Sequence, residues 1–116
     1  MNLAHHDSPR NAAGYADLST AEVNALLGKV RLIDVRQPDE FRGDLGHIAG
    51  AELVPLGVLP AVSASWPRDE TLVVICRSGG RSAQGAGTLA RMGFSRVHNM
   101  VGGMIRWNAD RRLVER

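Results

Sequence analysis

Thr71-Leu72-Val73-Val74-Ile75-Cys76-Arg77-Ser78-Gly79-Gly80-Arg81 is the stretch that decides the fold of this chain. Its first half is an apolar run of the kind found in the middle of a parallel sheet. From Ser82 to Met92 the sequence reads as a helix. Cys76 therefore stands where a buried strand ends and a helix begins. Helix N-termini present free N–H groups and a positive dipole end, and both stabilise a thiolate. Arg77 and Arg81 place positive charge on either side. Gly79 and Gly80 are expected to let the backbone turn tightly and aim its N–H groups inward at an anion. The stretch reads as a cradle for an anionic sulfur or an anionic substrate.

Downstream, the helix after Cys76 is small-sided, with Ala83, Ala86 and Ala90 expected to pack closely on the sheet. Gly93 is placed as its C′ residue, and Phe94 can contact Leu89 as a Schellman motif requires. Val97-His98-Asn99 reads as a last short strand. Gly102-Gly103 opens a final helix carrying Met104, Ile105 and Trp107.

Upstream, Ser19-Thr20-Ala21-Glu22 is a capping box, with Leu18 and Val23 at the two staple positions and Gly28 as the C′ residue. Val30 to Val35 reads as a strand. Pro38-Asp39-Glu40-Phe41 looks like the first turn of a short helix. Residues 43–50 form a loop, and 51–55 a short strand. Val58, Leu59, Val62 and Trp66 are placed on one helical face that stops at Pro67. Residues 1–14 are polar and poorly patterned, which predicts a flexible tail ahead of a domain over 15–116. Strands alternating with helices imply an α/β domain with a mostly parallel sheet and right-handed crossovers. Ligands bind such sheets at the C-terminal strand ends, and Cys76 lies at one.

Composition narrows the function further. The 116 residues suffice for one compact domain, and 44% apolar content supports a core without disulfides. The single cysteine cannot form an internal disulfide and fits a reducing compartment. The N-terminus lacks the order of a signal peptide, and no apolar run is long enough to span a membrane. The expected location is the cytoplasm, with no membrane partner. Net charge is only +2, Lys29 is the one lysine, and aromatics make up 4%. Arg111, Arg112 and Arg116 read as a solvated cluster, so no nucleic-acid partner is expected. The adjacent His5 and His6 are not expected to bind a metal, and no Cys/His cluster has ligand spacing. A monomer without metal or cofactor is the default.

Four elements, in order, carry a family resemblance. They are Leu32-Ile33-Asp34-Val35-Arg36 with Glu40-Phe41, then Gly46-His47-Ile48-Ala49-Gly50-Ala51 with Pro55. Val74 to Ser82 follows, then Gly102-Gly103-Met104-Ile105-Arg106-Trp107. Over roughly Asp17 to Asp110 the chain resembles the single-domain rhodaneses, which are sulfurtransferases. The resemblance implies one rhodanese-like α/β domain, its mostly parallel central sheet flanked by helices on both faces. It identifies Cys76 as nucleophile and residues Arg77, Ser78, Gly79, Gly80, Arg81 and Ser82 as the substrate-binding loop.

The implied reaction moves sulfane sulfur from a donor such as thiosulfate to cyanide, a thiol or a protein acceptor through a Cys76 persulfide. With no second cysteine, the acceptor is external to the chain. Two departures stand out. Arg42-Gly43-Asp44-Leu45 is slightly longer than usual, which predicts a looser loop near the site. Asn108-Ala109-Asp110 stands where glycine-proline is common.

Other readings remain open at this stage. Related phosphatases and arsenate reductases use Cys-x5-Arg, whereas Cys76 to Arg81 is Cys-x4-Arg; family comparison ranks sulfur transfer first. A redox or partner-docking module using Cys76 is a further alternative. Arg77 is read as a substrate binder. Arg81 either binds substrate or pairs with Asp34 or Glu40. Ser78 and Ser82 serve as turn and cap hydroxyls, and Ser82 can also donate toward the sulfur. Arg36 is expected to reach Glu40. His47 is read as a hydrogen-bonded structural residue, and Trp66 and Trp107 as core.

Overall fold

The computed structural model describes residues 10–116. Residues 1–9 of the tail expected over 1–14, with His5 and His6, lie outside the described residues. Asn11 to Gly14 form a turn closed by the Asn11 side chain, whose Oδ1 accepts from Ala13 and Tyr15 N–H at 3.0 and 3.2 Å.

Five strands and five α-helices follow: β1 (Ala16–Leu18), α1 (Thr20–Ala25), β2 (Arg31–Asp34), α2 (Pro38–Phe41), β3 (Glu52–Leu53), α3 (Leu59–Ser63), β4 (Thr71–Ile75), α4 (Gly80–Arg91), β5 (Arg96–Met100) and α5 (Gly103–Ala109), with a short 3-10 turn over Leu56–Val58 ahead of α3. The strands form one sheet in the order β1-β5-β4-β2-β3. Every pairing is parallel. The apolar run of β4 therefore lies at the centre of the sheet, where a strand is covered on both faces.

Alternation along β4 sorts the core into two layers. Leu72, Val74 and Cys76 face a cluster with Leu59, Trp66, Ala86, Leu89 and Phe94, contributed by α3, α4 and their flanks. Val73 and Ile75 face the opposite cluster, with Val23, Leu26, Met104 and Trp107 from α1 and α5 and their flanks. Period-two geometry thus continues past the strand end and puts the Cys76 side chain on the α4 face.

Local chemistry explains most boundaries. The Ser19–Glu22 capping box forms, and Leu18 and Val23 are both fully buried. The Schellman motif closes α4 as expected: Gly93 N–H reaches Ala90 O at 3.1 Å and Phe94 N–H reaches Leu89 O at 3.2 Å.

Four local expectations need correction. The strand β1 was not read in the sequence, because three residues are too few to show a period. Helix α1 ends at Ala25, with a turn at 26–29, so Gly28 (φ 81°) lies beyond its C′ position. On α3 the buried line is Leu59, Ser63 and Trp66, while Val58 and Val62 are 49% and 43% exposed. Those two valines sit at the edge of the apolar arc rather than at its centre. On α4 the sheet-facing residues are Ser82, Gly85, Ala86 and Leu89, and Ala83 and Ala90 are only half-buried. A Cβ on Gly85 would lie 3.2 Å from Leu59 and 3.4 Å from Val74, so glycine sets how closely α4 approaches the sheet.

The 42–45 loop is also not loose. Asn108 Nδ2 donates to Leu45 O at 3.0 Å, and Arg116 Nη2 to Asp44 O at 2.7 Å. His47 and Glu115 exchange two backbone hydrogen bonds at 2.8 Å. The two departures from the family pattern thus touch each other, and Asn108 ties α5 to the longer loop.

Gly103 has the tightest packing near the site. Its φ is 58°, and a Cβ there would stand 2.4 Å from Arg77 O and 2.6 Å from Cys76 O. These are backbone atoms with no freedom to retreat. Gly103→Ala is expected to destabilise the domain by about 2–4 kcal/mol. Urea unfolding measures this, and an unchanged midpoint would contradict the packing described.

Candidate active site

Cys76 follows β4 directly and is 1% exposed. Between it and α4 the chain makes a short loop whose polarity is fixed from outside. Met104 and Ile105, at the start of α5, donate to the carbonyls of Cys76 and Arg77 at 2.9 and 3.0 Å. With those carbonyls held outward, Gly79 N–H turns inward and donates to Cys76 Sγ at 3.0 Å. Gly79 adopts φ 108°, a conformation that favours glycine. Gly80 is different: it is helical, and a Cβ there would meet nothing within 4 Å. Only one of the two glycines is needed for the turn.

The 12-residue α4 starts at the sulfur. Burial pushes the Cys76 thiol up. The Ser82 hydroxyl and the N–H groups of Ser82, Gly79 and Ser78 oppose it, and the result lies below the usual thiol range. Ser82 Oγ stands 3.2 Å from Sγ and donates to Asn99 Oδ1 at 2.5 Å. Asn99 belongs to β5 and is 5% exposed. The sequence reading gave it no site role. The readable signal was a polar amide two residues beyond Val97, on the core-facing register of a strand.

The arginines divide. Arg81 is committed to Glu40 of α2 through two 2.7 Å hydrogen bonds, one to each carboxylate oxygen. This is the carboxylate pairing that one of the two readings for Arg81 expects. That guanidinium holds the Glu40 carboxyl down to about 2. Arg77 is exposed, and its guanidinium forms no hydrogen bond or ion pair with the described residues. It borders a cavity of about 380 Å³ with Arg36, Glu40, Gly43, Asp44 and Leu45.

Arg36 is buried at 1% exposure and pairs with Asp34 at 2.8 and 2.9 Å. It also donates to the carbonyls of Glu40 at 3.2 Å and Gly46 at 2.7 Å. It therefore reaches the backbone of Glu40 rather than its carboxylate. A buried pair of this kind fixes the turn between β2 and the following loop.

His47 Nδ1 donates to Phe41 O at 2.7 Å, and its ring stacks on Phe41 at 3.7 Å. Trp66 is core, with Arg31 over its outer face at 3.9 Å. Trp107 is core and donates to Leu113 O at 2.9 Å. Among the described residues no group of three or more His, Cys, Asp or Glu could hold a metal, and no helix is long and apolar enough to cross a membrane.

The profile of the rhodanese-like domain matches residues 19–110. This chain belongs to the rhodanese-like domain family. Curated relatives include the uncharacterized YqhL of Bacillus subtilis, 37% identical over 90 residues, covering 78% of this chain and 70% of that protein. A sulfurtransferase of Allochromatium vinosum is 38% identical over 78 residues, covering 67% of this chain and 71% of the relative. The crystal structure of a rhodanese-related protein from Thermoplasma volcanium superposes with a TM-score of 0.77 at 26% identity, covering 85% of this chain and 96% of that one. Both the rhodanese-like resemblance and the parallel α/β architecture expected from it are therefore established, and the sulfurtransferases among the relatives support an enzymatic role.

The Glu40–Arg81 pair joins α2 to the sulfur-bearing loop and generates a pH dependence. Glu40 is depressed in the folded state, so its stabilising contribution is fully present above the unfolded value near 4.5 and fades as pH falls toward about 2. Both side chains are roughly a third exposed, at 27% and 38%, so screening limits the effect to about 1 kcal/mol or less. Urea unfolding of wild type and Glu40→Gln is expected to differ at pH 6, and the difference to shrink steadily as pH falls from about 4.5 toward about 2. A constant difference across that range would mean the pair contributes no linkage.

Proposed function

We propose that this protein is a sulfurtransferase that carries sulfane sulfur as a Cys76 persulfide. The observation that carries the reading is the environment of Sγ, which faces the start of α4 and receives the Gly79 N–H at 3.0 Å. In the first half-reaction the Cys76 thiolate attacks the outer sulfur of a donor such as thiosulfate. The donor S–S bond breaks, and its electron pair leaves with sulfite. The outer sulfur of the persulfide is then the anion, held by the N–H groups of Ser78, Gly79, Gly80 and Ser82. In the second half-reaction cyanide, a small thiol or a protein thiol removes that sulfur and restores the thiolate. Two-step covalent transfer predicts ping-pong kinetics.

Arg77 is the substrate-facing cation in this reading, because Arg81 is already engaged by Glu40. The same engagement weighs against phosphate-ester hydrolysis, which needs the loop arginine free to clamp a tetrahedral oxyanion. A reducing compartment such as the cytoplasm would keep Cys76 free to turn over.

Intact mass of the reduced protein after incubation with thiosulfate tests the reading. Wild type is expected to gain the mass of one sulfur atom and lose it to cyanide with release of thiocyanate, whereas Cys76→Ser gains nothing. Failure of wild type to gain sulfur from thiosulfate or any small persulfide would defeat it. Arg77→Ala is expected to raise KM for thiosulfate about ten-fold with kcat within about two-fold, since an exposed cation binds the dianion before and during transfer. An unchanged KM would remove Arg77 from the donor site.

A further inference from the structure

Ser82 has one hydroxyl hydrogen and two neighbours that can accept it: Asn99 Oδ1 at 2.5 Å and Cys76 Sγ at 3.2 Å. The orientation of the Asn99 amide settles which of them holds it at rest. Asn99 Nδ2 lies 3.3 Å from Asp17 Oδ1 on β1, and a carboxylate only accepts, so the nitrogen must face Asp17 and the carbonyl must face Ser82. Asp17 and Asn99 are register partners across the parallel β1–β5 pair, so the strand alignment itself sets this contact. The hydroxyl therefore points at Asn99, and Ser82 offers the sulfur a lone pair, which suits a neutral thiol and not a thiolate.

We infer that Asn99 is a positioning residue that, with Asp17 behind it, holds the Ser82 hydroxyl off Cys76 while Sγ is neutral and releases it when Sγ becomes anionic. The inference rests on the sulfur-transfer reading and adds a role for Ser82 in both half-reactions. When Cys76 loses its proton to solvent, the Ser82 hydrogen swings from Asn99 to Sγ. When the persulfide forms, Sγ is bonded to the outer sulfur and carries no charge, so the hydrogen returns to Asn99 Oδ1. When an acceptor thiolate attacks the outer sulfur, the S–Sγ bond breaks and its electron pair stays on Sγ. The hydroxyl then swings back onto that leaving group. Asn99 thus stores the donor between two charged states of one atom. It also makes ionisation harder than the bare loop would.

The prediction is counterintuitive: removing a buried polar neighbour should make the thiol more acidic. The charged groups on the elements around Cys76 stay the same in the key variants: Arg77 in the loop, Arg81 on α4 with Glu40 of α2, Asp34 and Arg36 at β2, and Arg106 on α5. Thiolate absorbance of the reduced full chain is titrated without any sulfur donor, against a Cys76→Ser baseline.

Asn99→Ala is expected to move the Cys76 midpoint down and to raise the thiolate fraction about five-fold at a pH one unit below the wild-type midpoint. Ser82→Ala is expected to move the midpoint up. Adding Asn99→Ala to Ser82→Ala is expected to move it no further, because Asn99 acts only through the hydroxyl.

An unchanged or raised midpoint in Asn99→Ala, or an equal shift with and without Ser82, would overturn the inference. If Asn99→Ala does not fold, Asp17→Ala decides, since Asp17 is the exposed residue of the edge strand β1 and its loss frees the amide to flip. Its midpoint should fall in high salt, where loss of an exposed charge is screened, and only when Ser82 is present. No shift, or a shift that persists in Ser82→Ala, overturns the inference equally. Because no donor is present, these results are independent of whether thiosulfate sulfurates Cys76.

Discussion

Two backbone hydrogen bonds organise the site: Met104 and Ile105 N–H to the carbonyls of Cys76 and Arg77. A strand-to-helix loop has as many carbonyls as N–H groups, and an anion tolerates only the latter nearby. Helix α5 removes the carbonyls by capturing them with its own unpaired N–H groups, which every helix start possesses. Gly103 makes the capture possible, because no side chain fits between α5 and the loop. The polarity of the loop around Sγ is therefore a tertiary property, built by a segment more than twenty residues away in sequence.

A second layer of support holds the walls. Arg36 is buried against Asp34 and gathers the carbonyls of Glu40 and Gly46. Glu40 in turn holds Arg81 at the first turn of α4. These contacts link β2 through α2 to α4, and none of them is a hydrogen bond to the sulfur. Arg77 is left as the cation at the mouth that has no protein partner among the described residues. One arginine of the loop shapes it while the other remains available to an anion.

Much of this is legible in the sequence. The β4 run, the position of Cys76 at its end, the capping box at Ser19 and the Schellman closure at Gly93 all express local rules. A few residues suffice for each. Illegible parts depend on partners distant in sequence. The role of Gly103 needs the carbonyls of residues 76 and 77, and Arg81 had two carboxylates within plausible reach until the fold brought Glu40 to it. Asn99 looked like any strand residue because its significance lies in Ser82 and Asp17. Where apolar arcs were read too broadly, as at Val58 and Val62, helix α3 was too short for periodicity to locate its centre. The longer 42–45 loop looked loose because Asn108 and Arg116, which pin it, lie far along the chain.

The late position of α5 bears on how the chain is made. Synthesis runs from the N-terminus, and domains assemble as their parts become available. Strand β1 finds its partner β5 only after some eighty residues have followed it, as the Ala16–His98 register shows. The carbonyls beside Cys76 stay uncaptured until residues 103–105 have left the ribosome. Until then those carbonyls are free to turn toward the sulfur. A nascent chain thus holds Cys76 in an unfinished pocket, whose polarity is set only when α5 docks.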